Sequence, residues 1–185
     1  MLGTRQQEEH KQPELSPRQV AWFTQAVAGY VREKRAQYHP LTAPLSFSDL
    51  WSRFFSAGDL ARIRVVQPGR ERVPNPPFYS KLEKLGFVGL PNFTTMAAIT
   101  FDDVVVFHDL LTPQLIFHEL VHVVQYRLLG IDEFARLYVR GYLHGGYEGT
   151  PLEVCAYQLD GRFIMGSVGF DVEAEVRSWI NNGRF

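Results

Sequence analysis

Behind Ser16-Pro17, apolar residues recur at Val20, Phe23, Val27, Tyr30 and Val31. That spacing of three and four predicts an amphipathic helix that starts at the Ser-Pro pair and stops at His39-Pro40. Ser48-Asp49 opens a second helical stretch carrying Leu50, Trp51, Phe54 and Phe55, and Ile63 to Gln67 reads as a short strand ending in Pro68-Gly69. Prolines at 74, 76 and 77 force a loop, and a short helix around Tyr79 to Leu85 follows. Two apolar, β-branched runs, Met96 to Phe101 and Val104 to Phe107, flank Asp102-Asp103 and predict an antiparallel hairpin. Thr112-Pro113 supplies an N-cap and first residue for an apolar helix running to Leu129 and ending at Gly130. Asp132 to Leu143 reads as another helix, Thr150-Pro151 starts one through about Phe163, and Asp171 caps a last one ending near Gly183. Helices with a few short strands ahead of the Thr112 helix predict an α+β, helix-rich fold with a small antiparallel sheet preceding that helix.

The chain of 185 residues is long enough to bury a core, and no repeat, linker or low-complexity tract divides it. Residues 1–185 therefore read as a single domain, with a polar, flexible lead-in over residues 1–16. Apolar residues at 45% and charged residues at 21% match a soluble globular chain and exclude disordered, collagen-like and disulfide-dense classes. A net charge of -1 offers no basic excess to attract a nucleic-acid backbone, so no nucleic-acid partner is expected. The single cysteine, Cys155, leaves no intramolecular disulfide, and no apolar run reaches membrane-spanning length. Neither a secretory leader nor a membrane span is expected. Cytoplasm is the default compartment, and export that reads no N-terminal signal is compatible with the same sequence. Charge is polarised along the chain: Phe101 to Asp160 holds nine acidic and three basic residues, which a solvated face explains.

The same segment contains His118-Glu119-Leu120-Val121-His122, a His-Glu-x-x-His match on a predicted helix. Residues four apart project from one helix face about one turn apart, so both imidazoles can reach one ion. Zinc accepts imidazole nitrogen at about 2.0 to 2.1 Å, and one helical turn sets a bite that tetrahedral coordination uses. Glu119, beside the first ligand but off its line, is placed to take a proton from the attacking water. Shuffling this composition yields such a pentapeptide in about one sequence in a hundred. The flanking residues, from Leu115 to Phe117 and at Val123 and Val124, are apolar, so burying the motif without a metal leaves three polar groups needing partners.

A catalytic zinc takes three protein ligands and keeps one open position. Val123-Val124-Gln125-Tyr126 follows His122, where a metzincin carries glycine and a third histidine, so that class is excluded. Candidates for the third ligand are Glu153, Glu148, His144 and His108. Glu153 is preferred because it opens a later helix with small Ala156 three residues on, which lets two helices approach closely behind the metal. Thr150-Pro151-Leu152-Glu153 is equally a capping box, in which the glutamate bonds back to the cap residue. His144 beside Gly145 suits a helix end, His108 suits a loop after a strand, and Cys155 suits simple packing. Tyr147, in its glycine-flanked loop, is the candidate to donate a hydrogen bond to a developing oxyanion, with Tyr142 the second choice. The strand Val104 to Phe107 is a candidate to pair with an extended peptide.

Through His118, Glu119, His122, Glu153 and Ala156 the chain resembles the zincin metallopeptidases, specifically the gluzincin branch. It is most similar to short bacterial zincin-like domains with a His-Glu-Leu-x-His-Val-x-Gln helix and a later Pro-Leu-Glu helix, over Ala97 to about Gly161. The resemblance implies one zinc, a peptide or protein substrate, and hydrolysis by water with Glu119 as general base. Larger gluzincins place an aspartate four residues after the third ligand, where this chain has Tyr157; Asp160 stands one further turn along. The rival expectations are a catalytically silent, zinc-stabilised binding module and a hydrolase of a non-peptide amide.

Overall fold

The computed structural model describes residues 12–45, 49–166 and 168–185. The first eleven residues of the expected lead-in, and Ser48 of the expected second helix start, lie outside the described residues. Among the described residues, six α-helices and four strands follow in chain order. They are α1 (Pro17–Tyr38), β1 (Ala43–Pro44), α2 (Ala57–Arg62), β2 (Arg64–Val66), α3 (Tyr79–Lys84), β3 (Ala98–Phe101), β4 (Val104–Phe107), α4 (Pro113–Gly145), α5 (Pro151–Ile164) and α6 (Val172–Asn181).

The start of α1 is fixed as its sequence predicts: the Ser16 hydroxyl accepts the Gln19 N–H while the Gln19 side chain accepts the Ser16 N–H. Its buried stripe is Phe23, Val27, Tyr30, Val31 and Tyr38. The stretch after Asp49 is a single 3₁₀ turn, Trp51–Arg53, rather than a second long helix. Trp51, Phe54 and Phe55 nevertheless enter the core, stacking around Phe117 and Phe163. The unanticipated α2 follows, with Ser56 as its cap.

The class is α+β, and the sheet is mixed, in the order β1-β2-β4-β3. The expected hairpin forms, β3 antiparallel to β4, with Asp102 at φ 61° in the turn. Aspartate tolerates that conformation, and Arg35 grips the pair from α1 at 3.1 Å to Asp102 and 2.6 Å to Asp103. β2 pairs parallel to β4 across forty residues of sequence. The strand Val104–Phe107 is thus central, with β2 on one side and β3 on the other, and no residue of it is more than 2% exposed. It has no free edge for an added peptide strand; the edge strands are β1 and β3.

α4 crosses the molecule beside this sheet. Thr112 caps it through the Leu115 N–H, and Gly130, at φ 75° and ψ 162°, breaks it into the two helical pieces the sequence predicts. Arg127 on the first piece ties down α2 and α6 through Asp59 at 2.5 Å and Glu173 at 2.6 Å. On the second piece Gly141 permits close approach of the start of α5: a Cβ there would lie 2.6 Å from Pro151 Cδ and 3.1 Å from Thr150 Cα. Among the described residues no helix is long and apolar enough to cross a membrane.

Because Pro151 is two residues from Glu153, Gly141→Ala is expected to push α5 outward. The loss should be about 1–3 kcal/mol, the range for overpacking a close backbone contact, read as a lower midpoint in denaturant unfolding. A variant as stable as the parent would show that the helix seam is soft.

Candidate metal centre

Three elements build the centre. The first piece of α4 presents His118 and His122 on one face, and α5 brings Glu153 against them in its first turn. β3 reaches in from the side with Thr100. The backbone at Glu153 does not form the full capping box. The Thr150 hydroxyl accepts the Glu153 N–H at 3.4 Å, but the Thr150 N–H donates to the Tyr147 carbonyl at 3.1 Å. Only half of the capping box forms, and the Glu153 carboxylate turns to the histidines instead.

His118 Nε2 and His122 Nε2 lie 3.1 Å apart, and Glu153 Oε2 lies 3.4 Å from the first and 3.5 Å from the second. A tetrahedral ion held at 2.0 to 2.1 Å sets its ligand atoms about 3.3 Å from one another, so the three edges are those of a tetrahedral face. These three residues can hold a metal ion.

Hydrogen bonds behind the ligands fix which nitrogens point inward. Gln125, fully buried, donates its Nε2 to the Leu152 carbonyl at 3.0 Å, which turns its Oε1 to His122 Nδ1 at 2.8 Å. His122 Nδ1 must therefore donate. His118 Nδ1 donates to Asp160 Oδ2 at 3.0 Å. Both Nε2 atoms are left with lone pairs facing a carboxylate oxygen, and Glu153 Oε2 is buried with no hydrogen-bond partner among the described residues. Buried acceptors that face one another require a cation, either protons or a metal.

The electrostatics record the same demand. Burial opposes a charge on His118, but hydrogen bonds to Asp160 and Glu153 outweigh it and lift its pKa to about 10. His122 is likewise raised, since the Glu153 charge overcomes its burial. Burial works against the Glu153 charge as well, yet the two imidazoles hold its carboxyl far below the usual range. Without metal, the cluster at neutral pH stores proton charge on the nitrogens that a metal would occupy.

Glu119 is outside the ligand triangle. Its Oε2 accepts the Thr100 hydroxyl at 2.7 Å, and it is 6% exposed. It lines two cavities at once, an open cleft of about 960 Å³ bounded by His118, Tyr157 and Asp160, and an interior chamber bounded by His122 and Glu153. Tyr147 lines both as well, and burial followed by the Glu153 charge pushes its phenol well above the ordinary range. Tyr142 lines the chamber only.

The other candidates are elsewhere. His108 donates Nδ1 to the Met96 carbonyl at 2.9 Å and accepts the Val73 N–H on Nε2 at 3.1 Å, so both ring nitrogens serve the backbone. His144 donates to the Arg140 carbonyl at 2.6 Å at its helix end, and Glu148 is exposed. Burial pushes the Cys155 thiol up to about 12, which suits packing. In the sequence, Thr100 has no signal, Gln125 falls in the helix pattern without a role, and Asp160 has a minor place. Gln125 follows His122 by three residues and Asp160 follows Glu153 by seven, both helix-face spacings; Thr100 carries no such signal. Tyr157, where larger gluzincins carry aspartate, instead lays its ring 4.7 Å from the His118 ring.

Comparison of the chain with family models, with curated proteins and with solved structures finds no match.

Glu153→Gln is expected to abolish tight metal uptake while leaving the helix start intact, since the cap uses only its backbone N–H. Asp160→Asn should weaken uptake about 10- to 100-fold, the usual cost of losing a carboxylate behind a ligating imidazole. Calorimetric titration with zinc checks both; full affinity in Glu153→Gln would remove it from the ligand set. Metal uptake at pH 7 should release at least one proton, because the raised imidazoles must give theirs up. Apparent affinity then rises with pH below about 10 and falls as the medium is acidified, about tenfold per pH unit for each proton released. Titration in two buffers of different ionisation enthalpy reads the number directly, and a value of zero contradicts the charge state described above.

Proposed function

We propose that this chain is a zinc-dependent hydrolase of the gluzincin type that cleaves a peptide bond, with His118, His122 and Glu153 as ligands and Glu119 as general base. The observation that carries the reading is the three-atom cluster of lone pairs, with a separate buried carboxylate beside it on the side that opens to a cleft. Two nitrogens and one oxygen suit zinc, and three protein ligands leave an open position, as catalytic rather than structural zinc sites do. Bound there, zinc would supply Lewis acidity to a substrate carbonyl and make water easier to ionise.

The residues of the chain supply the rest. Thr100 holds one oxygen of the Glu119 carboxylate, leaving the other to accept a proton from the attacking water and return it to the departing amine. Tyr147 keeps its proton and donates to the oxygen on which negative charge develops. Asp160 and Gln125 hold the two imidazoles in the orientation the ligands need. The edge strand β3 borders the cleft through Ala98, with Ala97 just ahead of it, and an extended peptide that pairs with it would pass across Glu119.

Glu119→Gln keeps the shape and the bond to Thr100 but removes the base. It should retain zinc and fold normally, and cleave about 10² to 10⁴ times more slowly than the parent. A peptide library with cleavage read by mass spectrometry makes the comparison, and cleavage that survives equally in the variant contradicts the assignment.

A further inference from the structure

The interior chamber shares Glu119, His122 and Glu153 with the metal centre and then runs between α1, β3 and the second piece of α4. Six of the eight tyrosines of the chain line it, at positions 30, 79, 126, 138, 142 and 147. Tyr126 stands one helical turn beyond His122, and its ring stacks on Phe134 at 3.7 Å. Beyond the metal end, none of the described lining residues is charged. The free volume is about 100 Å³, about two-thirds of the roughly 150 Å³ cavity that accepts benzene in an engineered protein core. That is room for one ring and too little for a long acyl chain.

The phenols restrict the occupant further. Tyr30 donates its hydroxyl to the Pro74 carbonyl, but Tyr142, whose hydroxyl is buried, and Tyr126 and Tyr138 have no hydrogen-bond partner among the described residues. A wholly apolar guest would leave them unpaired, which is costly in a buried site, and a charged guest would be desolvated with nothing to balance it. We infer that the chamber is the specificity pocket of the hydrolase and takes one neutral aromatic side chain of the substrate with a hydrogen-bonding tip, as a tyrosine side chain has. This rests on the hydrolase reading for the word substrate; the affinity of the chamber does not depend on turnover.

The test is binding of p-cresol and toluene, the detached side chains of tyrosine and phenylalanine, to the zinc-loaded full chain by NMR titration. Both should shift resonances of the chamber residues, with p-cresol tighter by about tenfold, the worth of one good hydrogen bond. In the double variant Tyr126→Phe, Tyr138→Phe that preference should fall to about twofold or less while toluene binds as before, which also shows that the variant is folded. Equal affinities in the parent, or a preference that survives in the variant, overturn the assignment of the tip. Failure of both compounds to bind overturns the pocket itself and indicates a water-filled chamber. Because no hydrolysis is read, either failure is distinct from failure of the hydrolase reading, which the Glu119→Gln comparison decides.

Discussion

His118 Nε2, His122 Nε2 and Glu153 Oε2 are pressed within 3.5 Å of one another at the seam of α4 and α5, and once the imidazoles give up their protons each brings a lone pair. Such a cluster is repulsive unless a cation, protons or a metal, fills it. The seam around it is built from small or apolar residues: Gly141, Ala156 and Leu159 let the helices close, and Phe117, Leu120 and Val121 seal the core face of α4. A cation bound there offsets a charge arrangement that the surrounding packing imposes.

The sheet contributes orientation rather than ligands. β4 is sealed on both faces and both edges, so its register fixes β3, and β3 fixes Thr100 against Glu119. A shift of β3 by one residue would turn Thr100 to the other face and leave the Glu119 carboxylate without its donor. The same strand forms the border between cleft and chamber, since Ala98 lines both.

Much of this was legible in the sequence where the controlling interactions are local. Ser16-Pro17, Thr112-Pro113, Thr150-Pro151 and Asp171 mark helix starts because caps act over three residues, and Gly130 marks a break because only glycine tolerates its backbone angles. The His-Glu-x-x-His spacing carries its own geometry. Glu153 was ambiguous, since the same four residues spell a capping box; the choice depends on the Thr150 N–H finding the Tyr147 carbonyl in the preceding loop. The parallel pairing of β2 with β4, and with it the identity of the edge strand, depends on contacts forty residues apart that no local pattern encodes. The Thr100–Glu119 bond inherits that long-range register. The stretch after Asp49 reads as helix by its aromatic spacing, yet burial of Trp51, Phe54 and Phe55 against Phe117 and Phe163 is satisfied by one 3₁₀ turn.

The central claim is an open zinc site on three protein atoms, and zinc-edge anomalous diffraction from crystals grown with zinc tests it most directly. The account predicts one strong anomalous peak at about 2.0 to 2.1 Å from His118 Nε2, His122 Nε2 and Glu153 Oε2, with the fourth position facing the cleft and holding no protein atom. A peak elsewhere, or a fourth protein ligand closing the site, contradicts it.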